Sequence, residues 1–423
     1  MIRSVFALVV LGQATVACAQ GLDRRLAATR GDQVQFTLPA RPGICGDGRS
    51  YIRLENDSWV GTMNDATRWS ACESGPLRVV VSRAENEVVR IESFVGAVAP
   101  GATTATDLGR VAPAEAAAWL ASMARSGEGR VARDALLPLG VMDSAQVTGT
   151  LTTMVEDREL ARDARRSALT WMVRRRGAGD GLSPTALVAL LSRIGKDDTE
   201  HATLRQSAVS SLARLESGEG IPALVSMSEA TTDGWLARLA AEALGRHGDP
   251  RARRAVRALI ANPERPADVR TAAIQGLSGE YGTIKDAEAL VAAWPQFGTD
   301  GLRDAALGAM ASLGGKSSRD FLLKTVRDEG AASRQRRRAA SLLERIGVPV
   351  RDLVVLYDGV SDAEVRNQLI DLLSQAGTRD AVAKLLRIAK EDTQPTARRR
   401  AIAALGKRDD PAVREALRSI VGS

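Results

Sequence analysis

Leu236-Ala237-Arg238-Leu239-Ala240-Ala241-Glu242-Ala243-Leu244-Gly245 is the stretch on which the reading of this chain turns. Number it from 1 at Leu236 to 9 at Leu244. With about 100° of turn per residue, positions 1, 5, 8 and 9 share one helix face and hold Leu236, Ala240, Ala243 and Leu244. Variants of the stretch recur nine times, with position 9 at Leu139, Met172, Leu212, Leu244, Leu277, Met310, Leu343, Leu373 and Leu405. The separations are 33, 40, 32, 33, 33, 33, 30 and 32 residues. A period of this size marks an array whose units bury their apolar faces only by stacking on one another.

The copies share more than a period. Position 5 is Ala135, Ala168, Ala208, Ala240, Ala273, Ala306, Ala339 and Ala401, with Leu369 the exception. A small side chain at the centre of the apolar face lets two helices approach closely. Position 2, at the border of that face, is Arg165, Arg205, Arg270, Arg303, Arg336, Arg366 and Arg398 in seven copies. Asp163, Glu200, Asp233, Asp268, Asp300 and Asp362 stand just before or at the start of the helices. There they favour the N-terminus by capping and dipole, and the expectation is a structural ladder in which they pair with position-2 arginines of neighbouring repeats.

Helix pairs whose second member reads apolar-Arg-x-x-Ala-x-x-Ala-Leu-Gly resemble HEAT repeats, in the short form found in phycobilisome-lyase-type HEAT-like proteins. Leu236–Gly245 and Ala397–Gly406 match that form best, and the resemblance covers residues 113–423. It implies a mainly α fold, an α-solenoid of about nine helix pairs. It implies no shared catalytic residues, because such arrays are mostly scaffolds. The ankyrin T-P-L-H and tetratricopeptide W-x-x-L-G patterns are absent.

Residues 20–96 read differently, as a small antiparallel β module. Gln33–Leu38 alternates polar and apolar side chains; Tyr51–Leu54, Leu77–Val81 and Val88–Val95 are further strand candidates, with Arg83–Asn86 a hairpin connection. Trp59 and Trp69 read as core filler, with a ligand-stacking pair the rival reading. Residues 97–112 lose periodicity around Pro100, Gly101 and Gly109 and read as a linker, and Pro113 suits a first helical turn.

The N-terminus reads as a signal peptide over residues 1–19. Arg3 precedes the apolar run Val5–Leu11, and Ala17-Cys18-Ala19 offers a cleavage site before Gln20. The rival reading makes Cys18 a lipoprotein acylation site. Either way the protein is expected to be exported, periplasmic or secreted, with no transmembrane segment, since the apolar run is too short to span a bilayer. Cys45 and Cys72 then form a disulfide, worth roughly 3–4 kcal/mol in the chain-entropy model.

Chemistry is sparse. Of 423 residues two are histidines, His201 and His247, and no metalloprotease, nucleophile-elbow, phosphate-loop or calcium-loop motif occurs. The expectation is a non-enzyme with no cofactor, no catalytic residues and no metal site. The irregular spacing of 40 contains Arg174-Arg175-Arg176-Gly177-Ala178-Gly179-Asp180-Gly181, and Trp171 takes a position 8 that is usually small. This region reads as an irregularity in the stack, or otherwise as a binding feature.

The candidate interaction surface is position 3, opposite the apolar face, where Arg133, Arg166, Arg238, Arg337 and Arg399 fall. On second helices lining a concave side they would form a partner-binding groove on the order of 80 Å long. An ordinary solvated face is the competing reading. The net charge is +7; residues 20–110 balance and residues 111–423 carry +6. That excess suits an acidic or extended protein partner. Nucleic-acid or other polyanion binding, the alternative, calls for denser Lys/Arg and stacking aromatics, and aromatics make up only 3% of the chain. A further alternative places recognition in the β module with the solenoid as spacer. Neither partner identity nor oligomeric state follows from the sequence.

Overall fold

A computed structural model describes residues 21–54, 59–61, 72–97, 104–126, 129–230 and 232–421. The signal-peptide reading, Cys18, Trp69 and the Trp59 side chain lie outside the described residues. The chain divides into two compact units, residues 1–211 and 212–423.

The first unit opens with a helix over residues 21–28 (α1), then a four-stranded sheet in the order β6-β5-β1-β7. β1 (Gln33–Leu38) pairs antiparallel with β5 (Leu77–Ala84), placing Phe36 opposite Val79, and β5 forms a hairpin with β6 (Glu87–Val95). Glu85 and Asn86 at the hairpin tip both have positive φ (52° and 69°), the twist a two-residue hairpin loop needs. A second sheet holds β2 (Cys45–Gly46), β3 (Tyr51–Arg53) and β4 (Trp59–Gly61). Cys45 is bonded to Cys72 across 27 residues of sequence.

Two elements here depart from the sequence reading. α1 was not anticipated; its Leu22 and Leu26 are buried one turn apart, and Arg83 donates to the carbonyl of Leu26 in its last turn and to those of Thr29 (2.8 Å) and Gly31 (2.6 Å) just beyond its end. The stretch 97–112, read as a linker, supplies β7 (Thr106–Arg110), parallel to β1. Crossover strands of this kind need no alternating pattern when they lie on an edge, and β7 is mostly exposed.

The sheet shares its core with the first helices. Phe36 meets Trp119 of α2 (Pro113–Ser126) edge to face at 6.0 Å, and both are buried. Asp143 N donates to Pro39 O at 2.8 Å, and Ala40 bridges Met142. Then follow α3 (Gly129–Asp134), α4 (Leu136–Val141), α5 (Val147–Glu156), α6 (Arg162–Arg174), α7 (Pro184–Lys196) and α8 (Ala202–Ala213), within which the division between units falls.

The bulky Trp171 has a simple explanation. A Cβ on Gly140 would lie 2.0 Å from its ring, so the indole occupies the space a side chain at residue 140 would need. Arg175 from the adjoining glycine-rich loop is 1% exposed. It donates to Gly140 O (3.2 Å), Met142 O (2.9 Å) and the Asp180 carboxylate (2.5 Å). Asp180 in turn accepts from Thr148 N at 3.1 Å. The loop is therefore pinned to the preceding helix pair by a buried guanidinium whose two terminal nitrogens are hydrogen-bonded.

The second unit holds α9 (Ile221–Ser228), α10 (Gly234–Gly245), α11 (Pro250–Ala261), α12 (Ala267–Leu277), α13 (Ile284–Ala293), α14 (Asp300–Leu313), α15 (Gly315–Arg327), α16 (Ser333–Leu342), α17 (Val350–Asp358), α18 (Ala363–Ala376), α19 (Arg379–Glu391), α20 (Pro395–Gly406) and α21 (Pro411–Val421). First helices pack on first helices (α11, α13, α15, α17, α19, α21) and second on second (α10, α12, α14, α16, α18, α20), giving two layers. This is an α-solenoid. The repeated face is buried within each unit: all nine position-5 residues, three in the first unit and six in the second, are fully buried, and no position-9 residue is more than 3% exposed. The buried face of α10 is wider than the sequence suggested, taking in Ala237, Ala241 and Gly245, while Ala243 is only half-buried.

Candidate functional site

The second helices carry two sets of charged side chains with different jobs. Side chains on a helix lean toward its N-terminus, so an arginine at position 2 runs back toward the end of its partner helix. Nε of Arg165, Arg205, Arg270 and Arg336 donates to the carbonyl ten residues earlier: Val155 (2.9 Å), Gly195 (3.1 Å), Ile260 (2.9 Å) and Val326 (3.1 Å). Those carbonyls lie near the C-termini of the paired first helices, where acceptors lack intrahelical donors and the dipole is negative. Arg366 and Arg398 reach Val360 O (2.6 Å) and Asp392 O (2.7 Å) in the same connection. Arg303 instead lies over Trp294, 5.8 Å from the ring centroid.

The expected ladder of acid–arginine pairs at position 2 is thus mainly a set of clamps within each repeat. Among the acids named from sequence, Glu200 makes the expected contact: it accepts from Arg165 at 3.0 and 2.5 Å. Burial raises the Glu200 carboxyl, but hydrogen bonds from Arg165 and the His201 amide bring it below its ordinary value. Asp233 and Asp362 cap α10 and α18, accepting from Leu236 N (3.0 Å) and from Glu364 N and Val365 N (2.9 and 3.0 Å).

Pairs between neighbouring repeats form one step further round, between position 3 and the residue before position 1 of the next second helix. Arg238 lies 3.6 Å from Asp268, and Arg337 lies 3.7 Å from Glu364. The third rung has reversed polarity, with Asp304 at position 3 and Arg334 on α16, 2.6 Å apart. All six groups keep water access, so each rung is worth at most about 1 kcal/mol. A parallel rung joins position 7 to position 4: Asp371 of α18 accepts from Arg400 of α20 at 2.9 and 2.5 Å.

Two clefts open over these rungs, of about 510 and 520 Å³. The first lies between α10 and α12, with Trp235, Leu239 and Ala272 in its wall beside Arg238 and Asp268. The second runs from α14 to α20 past Arg334, Arg337, Arg338 and Arg400, with Asp304 and Glu364. Every lining residue falls at position 3, 4, 7 or the one before position 1. Both clefts are therefore the same face of the second helices, repeated.

Of the five arginines proposed from sequence, the structure brings Arg238 and Arg337 into the clefts. Arg133 and Arg399 are exposed, and Arg166 pairs within its own helix with Asp163 at 3.3 Å. Sequence reasoning missed Trp235, Arg334, Arg338 and Arg400. Their signal was present: they sit three or four residues apart along the stripe opposite the apolar one.

Neither histidine belongs to a reactive group. His247 Nδ1 accepts from Asp249 N at 3.0 Å, and burial lowers its pKa. His201 contacts Thr203 (3.0 Å) and Arg162 (3.3 Å) on the surface. Among the described residues no cluster of His, Cys, Asp and Glu could hold a metal ion, and no helix is long and apolar enough to cross a membrane.

The stacked pairs, the two layers and the shared face define an α-solenoid protein. The HEAT-repeat family model matches residues 186–278, 221–296 and 350–423, so the repeats in those segments are HEAT repeats. No curated protein matches the chain. Among solved structures it is similar to human deoxyhypusine hydroxylase (19% identity, 56% of this chain and 94% of that one, TM-score 0.25). It is also similar to the CpcE–CpcF phycocyanin lyase of Nostoc sp. PCC7120 (21% identity, 57% and 96%, TM-score 0.30). A third similar structure is the karyopherin Kap121p bound to the extreme C-terminus of the protein phosphatase Cdc14p (12% identity, 74% and 42%, TM-score 0.44).

Proposed function

We propose that the protein is a non-enzymatic scaffold that holds another protein along the cleft-bearing face of its second helices. The observation that carries this reading is the common register of the two clefts. The side chains that pack the stack lie on the opposite face, and six of the seven position-2 arginines donate to carbonyls within their own repeat, the seventh, Arg303, lying over Trp294. What remains is a repeated face of solvent-accessible Arg, Asn, Gln and Trp side chains, the mixed polar and aromatic chemistry of a protein interface.

A photo-crosslinking amino acid placed at Leu239 or at Arg338 tests this in the full chain in its native cells, with exposed Arg254 of α11 as the control. The same adduct is expected from both cleft positions and none from Arg254. Equal labelling from all three, or none from the clefts, would overturn the reading.

We also propose that the protein is exported after cleavage before Gln20. The Cys45–Cys72 bond supports this, since such bonds persist in oxidising compartments. The intact mass of protein recovered from the cell envelope or medium is expected to start at Gln20. A chain that keeps Met1, or one that begins with lipid-bearing Cys18, would refute this cleavage.

A further inference from the structure

We infer that the cleft between α14 and α20 takes an acidic segment of the partner protein, with Arg338 as its main anchor. This rests on the scaffold reading above. The rungs show why Arg338 is available. On α18 and α20 the arginine at position 4, Arg400, is held by Asp371 at position 7 of the preceding second helix. Two junctions earlier, between α14 and α16, position 4 is again an arginine, Arg338, but position 7 is Gly308. Arg338 Nη2 lies 3.6 Å from where a Cβ on Gly308 would be, and meets no carboxylate among the described residues. Arg337 beside it has Glu364 only at 3.7 Å, beyond hydrogen-bond reach. The cleft lining carries four guanidinium groups against two carboxylates.

Charge alone would admit any anion. Two other atoms narrow the choice. Asp304 Oδ1 and Asn367 Oδ1, both on lining residues, are buried with no hydrogen-bond partner. Each wants a donor. A phosphate chain would bring only oxygens to them, and would set negative charge against Asp304. A peptide brings both parts: carboxylates for Arg338 and Arg337, and backbone N–H groups for the two oxygens. The α10–α12 cleft lacks this bias, because its lining holds one arginine, Arg238, against two carboxylates, Asp268 and Glu242.

The test uses the purified full chain and a short fluorescein-labelled peptide of alternating Asp and Gly, read by anisotropy. The comparators are the same peptide with Asn for Asp, and inorganic polyphosphate. The Asp peptide is expected to bind and the Asn peptide not, and binding should weaken with salt. Arg338→Glu reverses the anchor, and Gly308→Asp supplies the carboxylate that Asp371 supplies to Arg400. Each is expected to weaken binding by about tenfold or more, while Arg254→Glu leaves it unchanged. The two variants lie on different helices and act by different means, so a shared loss is not a folding defect of one. Equal binding of the Asn peptide, indifference to both variants, or polyphosphate binding with the same dependence on Arg338 overturns the inference. If crosslinks still form from Leu239 and Arg338 while the Asp peptide fails to bind, the scaffold reading stands and the acidic partner falls. If the crosslinks fail, the scaffold reading itself falls.

Discussion

Asp286→Ala is expected to destabilise the second unit by about 3–5 kcal/mol, the cost of breaking a buried ion pair from one side. Asp286 is 0% exposed and Arg253 is 4% exposed. The carboxylate accepts from Arg257 Nη1 (2.7 Å), Thr283 N (2.9 Å), Thr283 Oγ1 (2.6 Å) and Arg253 Nη2. Arg253 also donates to Gly245 O at 2.6 Å, so one cluster ties together the end of α10, α11 and the start of α13. Without Asp286 the Arg253 charge stays buried and loses its counter-ion. Urea or guanidinium unfolding measures the effect, and a loss below about 1 kcal/mol would mean that the cluster is not the junction's anchor.

The same residue sets a pH dependence. Burial raises its pKa, but hydrogen bonds from Thr283, Arg253 and Arg257 and the charge of Arg253 bring it below the ordinary value. A depressed carboxyl stabilises the fold above its unfolded value of about 4 and loses that contribution as pH falls through the folded value. The wild-type and Asp286→Ala stability curves should therefore run parallel near neutrality and converge in acid.

Gly276→Ala, adding one methyl group, is expected to cost about 2–3 kcal/mol, at the upper end of overpacking. A Cβ there would lie 2.7 Å from Glu242 O and 2.8 Å from Gly245 Cα. Those are backbone atoms of a packed helix, and no rotamer change relieves the clash. A Cβ on Gly245 would meet Ala273 O at 2.8 Å, so α10 and α12 cross with their backbones in contact at both glycines. Gly301→Ala in the first turn of α14 is the control, since a Cβ there meets nothing within 4 Å. It should be neutral or stabilising by up to about 1 kcal/mol. Equal midpoint shifts for the two variants in thermal unfolding would show that the close crossing does not govern stability.

These two sites mark how far the sequence could be read. The period, the alanine at position 5 and the Leu or Met at position 9 were legible because burial repeats with the helix. The terminal Gly245 was visible in the pattern, but its cause was not: the crossing depends on where α12 passes. The position-2 arginines were found, and acids of the next repeat do meet Arg165 (Glu200) and Arg366 (Asp392); their carbonyl partners were not foreseen, since a carbonyl leaves no mark in sequence and an acid nearby does. The rungs between position 3 and the next helix were hidden for a related reason. They depend on the offset between adjacent helices, which the residues of one helix do not state. In the first unit the hairpin strands carried their own alternation, whereas β7 is a mostly exposed edge defined only by its distant partner β1.

The reversed rung between Asp304 and Arg334 makes the array directional. Excising the α15–α16 pair would bring Asp304 against Glu364, and duplicating it would set Arg337 against a second Arg334. Each rearrangement juxtaposes like charges where opposite ones now meet. Units that look interchangeable by their buried faces are thus given an order of assembly by their exposed ones. This pair can be neither removed nor doubled without setting like charges side by side.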